Sequence, residues 1–310
     1  MHHHVSSKSA RALLAAAGLS LLAAAPAAAH PHHATRSVDL KFAAVAGDQP
    51  VACGKTIPGL GMTSASAQLK DLRFYVSDVK LLRSDGKAVP VKLRSSSFQL
   101  TRPGGAVTLI DLENGTGACA EEGTKATNAH VRGTVPAGTY RGLSYKVGVP
   151  SRLNHTDVAG APSPLNLAAM GWSWQFGRKF LKIETADPSF MVHLGSTGCT
   201  GNPATGQTVR CTSPNRVAVR LKSFDPSRQQ VAVDIKALLA GTDLSGGMSS
   251  MGAMASASAM DMNMDAACMS GPGETNCGPI FRSLGIDWSD TSGGGAALPS
   301  KQTVFRTLER

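Results

Sequence analysis

The sequence predicts an all-β fold: an antiparallel sandwich or barrel-like body with long loops, clipped by disulfides. Three observations carry that expectation. Short runs rich in β-formers alternate with turn signals, 33 glycines and 17 prolines supply those turns, and the six cysteines form an even set. The chain has 310 residues, of which 42% are hydrophobic. That is enough for a buried core and too much for a disordered chain. Charged residues make up only 17%, which argues against a long coiled coil.

Taken in order, Val38–Val45 alternates as a half-buried strand does. Leu72–Leu82 is rich in β-formers, turns at Ser84-Asp85-Gly86-Lys87 and returns through Val89–Leu93, a hairpin signal. Val107–Leu112 is another apolar run. Ala129–Val135 and Tyr140–Val149 flank Pro136-Ala137-Gly138-Thr139, which predicts a second hairpin. Arg216–Phe224 and Gln230–Ile235 flank Asp225-Pro226-Ser227-Arg228, which predicts a third. Only Ile235–Leu239 reads as helix, for about one turn.

Residues 1–29 read as a secretory signal peptide. Lys8 and Arg11 form the positive start, Leu13–Leu22 the apolar centre, and Ala27-Ala28-Ala29 the small residues before cleavage at His30. The apolar run is too short for a membrane anchor, and no later segment reads as a span. The formal charge of +10 loses two with Lys8 and Arg11. The rest is spread out and reads as a solvated basic surface. No basic run is interleaved with aromatics, so nucleic acid is not an expected partner.

Export leads to an oxidising compartment, where an even cysteine count reads as disulfides. Six cysteines allow 15 pairings. Local spacing favours Cys199–Cys211 and Cys268–Cys277, which leaves Cys53–Cys119. None has the C-x-x-C spacing of zinc or redox sites.

The remaining chemistry points to a soft metal. Residues 246–265 (GGMSSMGAMASASAMDMNMD) cannot build a core and read as a flexible loop. Met248, Met251, Met254, Met260, Met262 and Met264 lie within it and Met269 just after it. A thioether is soft, uncharged and insensitive to pH, and suits Cu(I). A neutral linker is the plainer reading of the same stretch. An exposed His30-Pro31-His32-His33 start offers an amine and imidazoles, although Pro31 lacks the amide that a square-planar amino-terminal site needs; a solvated tail is the alternative. The segment Leu153–Phe180 holds His155, Asp157, Met170, Trp172 and Trp174. Residues two apart on a strand share a face, so the tryptophans would lie side by side, as a site or as a core pair. His193 sits on the apolar run Phe190–Leu194, where a satisfied core histidine is the plainer reading. Hydrolase signatures such as G-x-S-x-G, H-E-x-x-H and the P-loop are absent.

The stretches LKDLRFYVSDVKLL, TLIDLENGTGAC, GLSYKVGVPSRLNHTD, SPLNLAAMGWSWQFGRKFLKIE, FMVHLGSTGC, CTSPNRVAVRL and CMSGPGETNCGPIF, in that order, resemble the MbnP-like family of exported copper-binding proteins. That family is also called the metallo-mystery-pair four-Cys-motif proteins. The resemblance runs from about Phe42 to about Leu284. It implies a periplasmic, non-enzymatic protein that binds one copper ion in a β-rich domain over residues 30–310. It also implies a partner, a di-haem cytochrome c peroxidase-like protein that oxidises one Trp of the W-x-W pair to kynurenine. The matching residues are His155, His193 and the pair Trp172 and Trp174, with Trp172 favoured for its position at the start of the strand. Met170 and Met269 are candidate soft neighbours. The methionines of 246–265, with His30 and His32, are candidate accessory ligands. The chain departs from the family pattern at Gly171, where an aromatic is expected, and at Arg178, where a tyrosine is expected. A rival reading from another class is a copper oxygenase using a brace at His30.

Overall fold

Alternation of apolar and polar residues builds two facing sheets. The computed structural model describes residues 1–3, 34–173, 175, 177–244 and 267–310. Residues 34–310 hold together as one unit. One sheet runs in the order Phe305–Glu309, Gln229–Asp234, Thr35–Ala46, His130–Pro136, Lys92–Leu93. The second runs Val217–Leu221, Tyr140–Val147, Ala65–Arg83, Leu181–Ala186, Phe190–Leu194, Ala267–Cys268. The sheets remain open, so the fold is a sandwich and not a closed barrel. Pairing is mostly antiparallel. The exceptions among the main strands are Thr35–Ala46 beside Gln229–Asp234 and Phe190–Leu194 beside Ala267–Cys268, which are parallel.

The spine of the second sheet is Ala65–Arg83, a strand of 19 residues. Along one edge it pairs with Leu181–Ala186 and then Tyr140–Val147; along the other it meets Thr56–Leu60, Gly105–Asp111 and Ala88–Pro90. The expected hairpin from Leu72–Leu82 into Val89 is therefore present, closing on Ala88–Pro90. Leu72, Phe74 and Val76 point into the sandwich. There Phe74 and Tyr145 of this sheet meet Phe42 and Phe305 of the other in edge-to-face contacts at 5.6–6.0 Å. Such a quartet joins the layers by area burial and by favourable quadrupole geometry.

The other two expected hairpins are corrected. His130–Pro136 pairs with Thr35–Ala46 in the first sheet, whereas Tyr140–Val147 pairs within the second. Likewise Val217–Leu221 joins the second sheet and Gln229–Asp234 the first. Both turns carry the chain from one layer to the other. Turn residues report that the chain reverses, but not whether the returning strand pairs beside its predecessor or crosses the core. The helical turn expected at Ile235–Leu239 forms over those residues, with Asp234 capping it through Ala237 N–H at 3.1 Å.

The three disulfides form as expected: Cys53–Cys119, Cys199–Cys211 and Cys268–Cys277. Among the described residues no helix is long and apolar enough to cross a membrane.

Candidate metal centre

Side chains on the outer face of the second sheet would ordinarily meet water. Here loops cover them, and Asp71, Arg73, Tyr75 and Ser77 are all buried. Cross-strand register places Asp111, Arg73, Lys182 and His193 in one row across four strands. Asp71 and Glu184 form part of the next row.

The row is held by charge. Arg73 donates to Asp71 at 3.0 Å, to Asp111 at 3.2 Å and to Glu113. Lys182 Nζ lies 2.8 Å from Asp71 and 3.2 Å from Glu184, and also meets Glu122. Asp71, Glu122 and Glu184 thus gather oxygens as a cation site would, but the Lys182 ammonium fills it. Burial raises the carboxyl of Glu184; the hydrogen bond from His193 and the Lys182 charge outweigh it and bring the pKa down to about 2.

His193 closes the row. Its Nε2 stands 2.6 Å from Glu184 Oε1, while its Nδ1 is buried without a hydrogen-bond partner. Burial pushes the imidazole pKa down, as do Lys179 and Lys182, against the raising effect of Glu184. The ring is therefore neutral at neutral pH and has a lone pair to offer.

His155 follows the short helix Ser151–Asn154 and is 9% exposed. Its Nε2 lies 3.3 Å from Asn154 Nδ2 and 3.6 Å from Cys211 Sγ, and its Nδ1 also lacks a hydrogen-bond partner. Burial lowers its pKa, helped by the Arg178 charge and opposed by the Gln175 backbone. His155, Cys199 and Cys211 bring ligand-type atoms together, but both sulfurs are committed to a disulfide.

The turn between Gly171–Ser173 and Gly177–Arg178 connects the two histidine regions. At one end the Arg178 N–H donates to Asn154 Oδ1 at 2.9 Å, beside His155. The Arg178 side chain is fully buried and donates to the carbonyls of Leu153, Asn154, Thr156, Asp157 and Leu165. At the other end Trp172 lies on Gly195, two residues beyond His193: a Cβ at position 195 would stand 2.4 Å from Trp172 Cζ3. The arginine in the place of the expected tyrosine thus braces the loop that carries His155.

Met269 follows Cys268, which is in register with Val192, and so comes alongside His193. Ser270 Oγ fixes the position: it donates to the His193 carbonyl at 2.9 Å and accepts from Gly195 N–H at 3.2 Å. Met269 is half-buried. Met170 is fully buried in the hydrophobic core. The structure thus brings Trp172 and Met269 to the end of the strand that carries His193, and ties the Trp172 turn to the residue before His155. Trp174, His30, His32, Met248, Met251, Met254, Met260, Met262 and Met264 lie outside the described residues, as does the leader reading beyond residue 3.

Two neutral imidazoles with unpartnered buried nitrogens, beside a thioether, fit a soft or borderline metal such as copper. The sequence reading missed Glu184 and Lys182, and noted Arg178 as a departure from the family pattern without its bracing role. Charged residues alternating with apolar ones at Leu181–Glu184 read as a half-exposed strand, so no local signal marks the first two as buried.

An all-β sandwich clipped by three disulfides defines a protein of the extracytoplasmic class. The MbnP family model matches residues 35–259, and the chain belongs to that family. The matched range includes His155, Trp172, Trp174 and His193 and stops before Cys268 and Met269. The structure of MbnP from Methylosinus trichosporium is similar at 30% identity with a TM-score of 0.74, covering 89% of this chain and 99% of that one. No curated protein matches the chain.

Proposed function

We propose that this chain is a periplasmic copper-binding protein of copper homeostasis or uptake, exported by its signal peptide and not itself an enzyme. His155 and His193 bind one copper ion together with an oxidised Trp172. The observation that carries this reading is the pair of buried, neutral imidazoles with free nitrogens, linked through the Trp172 turn. Met269 stands beside His193 as a soft neighbour. A thioether and imidazoles accept copper without a buried negative charge to neutralise.

The site is completed by a di-haem cytochrome c peroxidase-like partner, which supplies the oxidising equivalents that open the Trp172 indole to kynurenine. Ring opening cleaves the indole C2–C3 bond with oxygen from peroxide, reduced to water; hydrolysis then releases C2 as formate and leaves an aryl amine and a ketone where an apolar ring stood. The site is then silent until the partner has acted. The methionines of 246–265 serve as an accessory antenna for Cu(I).

The test is protein made with and without such a partner. Mass spectrometry should find oxygen gained and carbon lost at Trp172, and copper should bind tightly only to the modified form. His155→Ala or His193→Ala should weaken binding by more than roughly tenfold, about 1.4 kcal/mol, with the fold preserved. Tight copper binding by a Trp172→Phe, Trp174→Phe double variant would refute the modified-Trp mechanism.

A further inference from the structure

We propose that Glu184 is a positioning residue that fixes His193 in one tautomer, so that the copper ligand is the Nδ1 atom. The inference rests on the copper-binding reading above and adds which atom binds and what aims it.

Glu184 Oε1 lies 2.6 Å from His193 Nε2, and both side chains are buried. The same Oε1 also meets Lys182 Nζ at 3.2 Å, which is itself anchored on Asp71 at 2.8 Å. An ionised carboxylate only accepts hydrogen bonds, so the proton between the two groups belongs to Nε2. A neutral imidazole carries one ring proton. Nδ1 therefore presents a lone pair, and that atom is the buried one without a partner.

The surrounding groups explain why the arrangement is not a plain core contact. Around His193 the guanidinium of Arg73 and the ammonium of Lys182 both have anionic partners, and the strand's own carbonyl accepts from Ser270. On the His193 ring, Nε2 is taken by Glu184 and Nδ1 is the nitrogen left over. Trp172, resting on Gly195, and Met269, following Cys268, approach the same strand end. A carboxylate on the distal nitrogen of a ligating histidine orients the ring and makes the other nitrogen a stronger donor. Glu184 stands in that relation to His193.

The experiment is a long-range proton–nitrogen NMR spectrum of the metal-free, full chain labelled with nitrogen-15 at histidine. The His193 signal is assigned by its loss in His193→Ala. The expected spectrum is that of the Nε2–H tautomer, with an unprotonated Nδ1. In Glu184→Gln the side-chain amide can donate to Nε2, so the tautomer should shift toward Nδ1–H, and copper affinity should fall by roughly 10–100-fold. An Nδ1–H tautomer in the parent protein overturns the proposal without recourse to any variant. So does a Glu184→Gln protein with unchanged tautomer and affinity. Undiminished copper binding by His193→Ala would instead overturn the copper reading, whatever the tautomer spectrum shows.

Discussion

The indole of Trp172 rests on Gly195, so closely that a Cβ there would stand 2.4 Å from Cζ3 and 2.8 Å from Cε3. The glycine is required by this approach and not by its backbone conformation, since its φ is not positive. It keeps Trp172 in contact with the end of the strand that carries His193. A methyl at 195 would also meet the Arg178 carbonyl at 3.2 Å, so the ring cannot be accommodated by a small slide alone. Gly195→Ala should displace the indole and cost about 1–3 kcal/mol, as overpacking does. Near-ultraviolet circular dichroism and the yield of Trp172 oxidation should both change. Unaltered spectra and yield would mean that Trp172 does not depend on this contact.

Arg178 offers a second test. Its guanidinium is buried and donates to the backbone carbonyls of Leu153, Asn154, Thr156, Asp157 and Leu165. It thereby satisfies acceptors that the tight turn around His155 leaves without strand partners. Arg178→Met would strand those carbonyls in an apolar setting. A loss of about 3–5 kcal/mol in urea unfolding is expected, in the range for a broken buried network. Hydrogen exchange should accelerate first across 153–157. If exchange there is unchanged, Arg178 does not brace the His155 loop.

Much of the sandwich was legible because alternation and turn chemistry are local signals. Thr35–Ala46, the Ala65–Arg83 hairpin and the turn at Ile235–Leu239 all follow from them. Which layer receives a returning strand is not local: Tyr140–Val147 and Gln229–Asp234 are placed by partners distant in sequence. The disulfides were legible through spacing, since Cys199–Cys211 and Cys268–Cys277 close short loops. Of the candidate site, the sequence named His155, His193, Trp172 and Met269 but not the charged row beside them. Glu184 and Lys182 look like solvent-facing strand residues until the loops that cover the sheet are in place, and nothing in the local pattern announces that cover. Met170 shows the converse, a thioether with ligand chemistry that the fold spends on the core.

The Cys199–Cys211 bond closes a separation of 12 residues and leaves Cys211 Sγ against His155 Nε2 at 3.6 Å. A loop of that size corresponds to about 3 kcal/mol of stabilisation through the unfolded chain. The double variant Cys199→Ser, Cys211→Ser should therefore unfold at lower urea, with a slope no smaller than the parent's. It should also loosen His155, seen as a shifted imidazole resonance. A variant of parental stability would show that the strands Thr197–Thr200 and Arg210–Ser213 hold without the bond.

The buried row also sets a pH dependence whose sign can be worked out. The buried Asp71, Asp111, Glu113 and Glu184 outnumber the buried cations Arg73 and Lys182, so the carboxyls cannot all be matched by a cation. Asp71 and Asp111 take the deficit. Burial raises Asp71 to about 6 against the pull of Arg73 and Lys182, and Asp111 to about 7 against Arg73, whose guanidinium is shared with Asp71 and Glu113. Each also has a buried Oδ1 without a partner, as suits a protonated carboxyl. Their ordinary value is 3.8. Between that value and about 6 to 7 the folded chain therefore holds protons that the unfolded chain has released. Stability from these two groups falls as pH rises through that window. Glu184 acts in the opposite sense: with its pKa lowered from 4.5 to about 2, its contribution is present above 4.5 and lost as pH falls toward 2. Other groups titrate over the same range, so the decisive comparison is with Asp111→Asn, which keeps an oxygen to accept from Arg73 but cannot ionise. Urea unfolding at pH 5 and pH 8 should show the variant gaining on the parent at the higher pH. If the difference between variant and parent is the same at both pH values, Asp111 is ionised in the folded chain throughout that range and the charge balance of the row is not the one described.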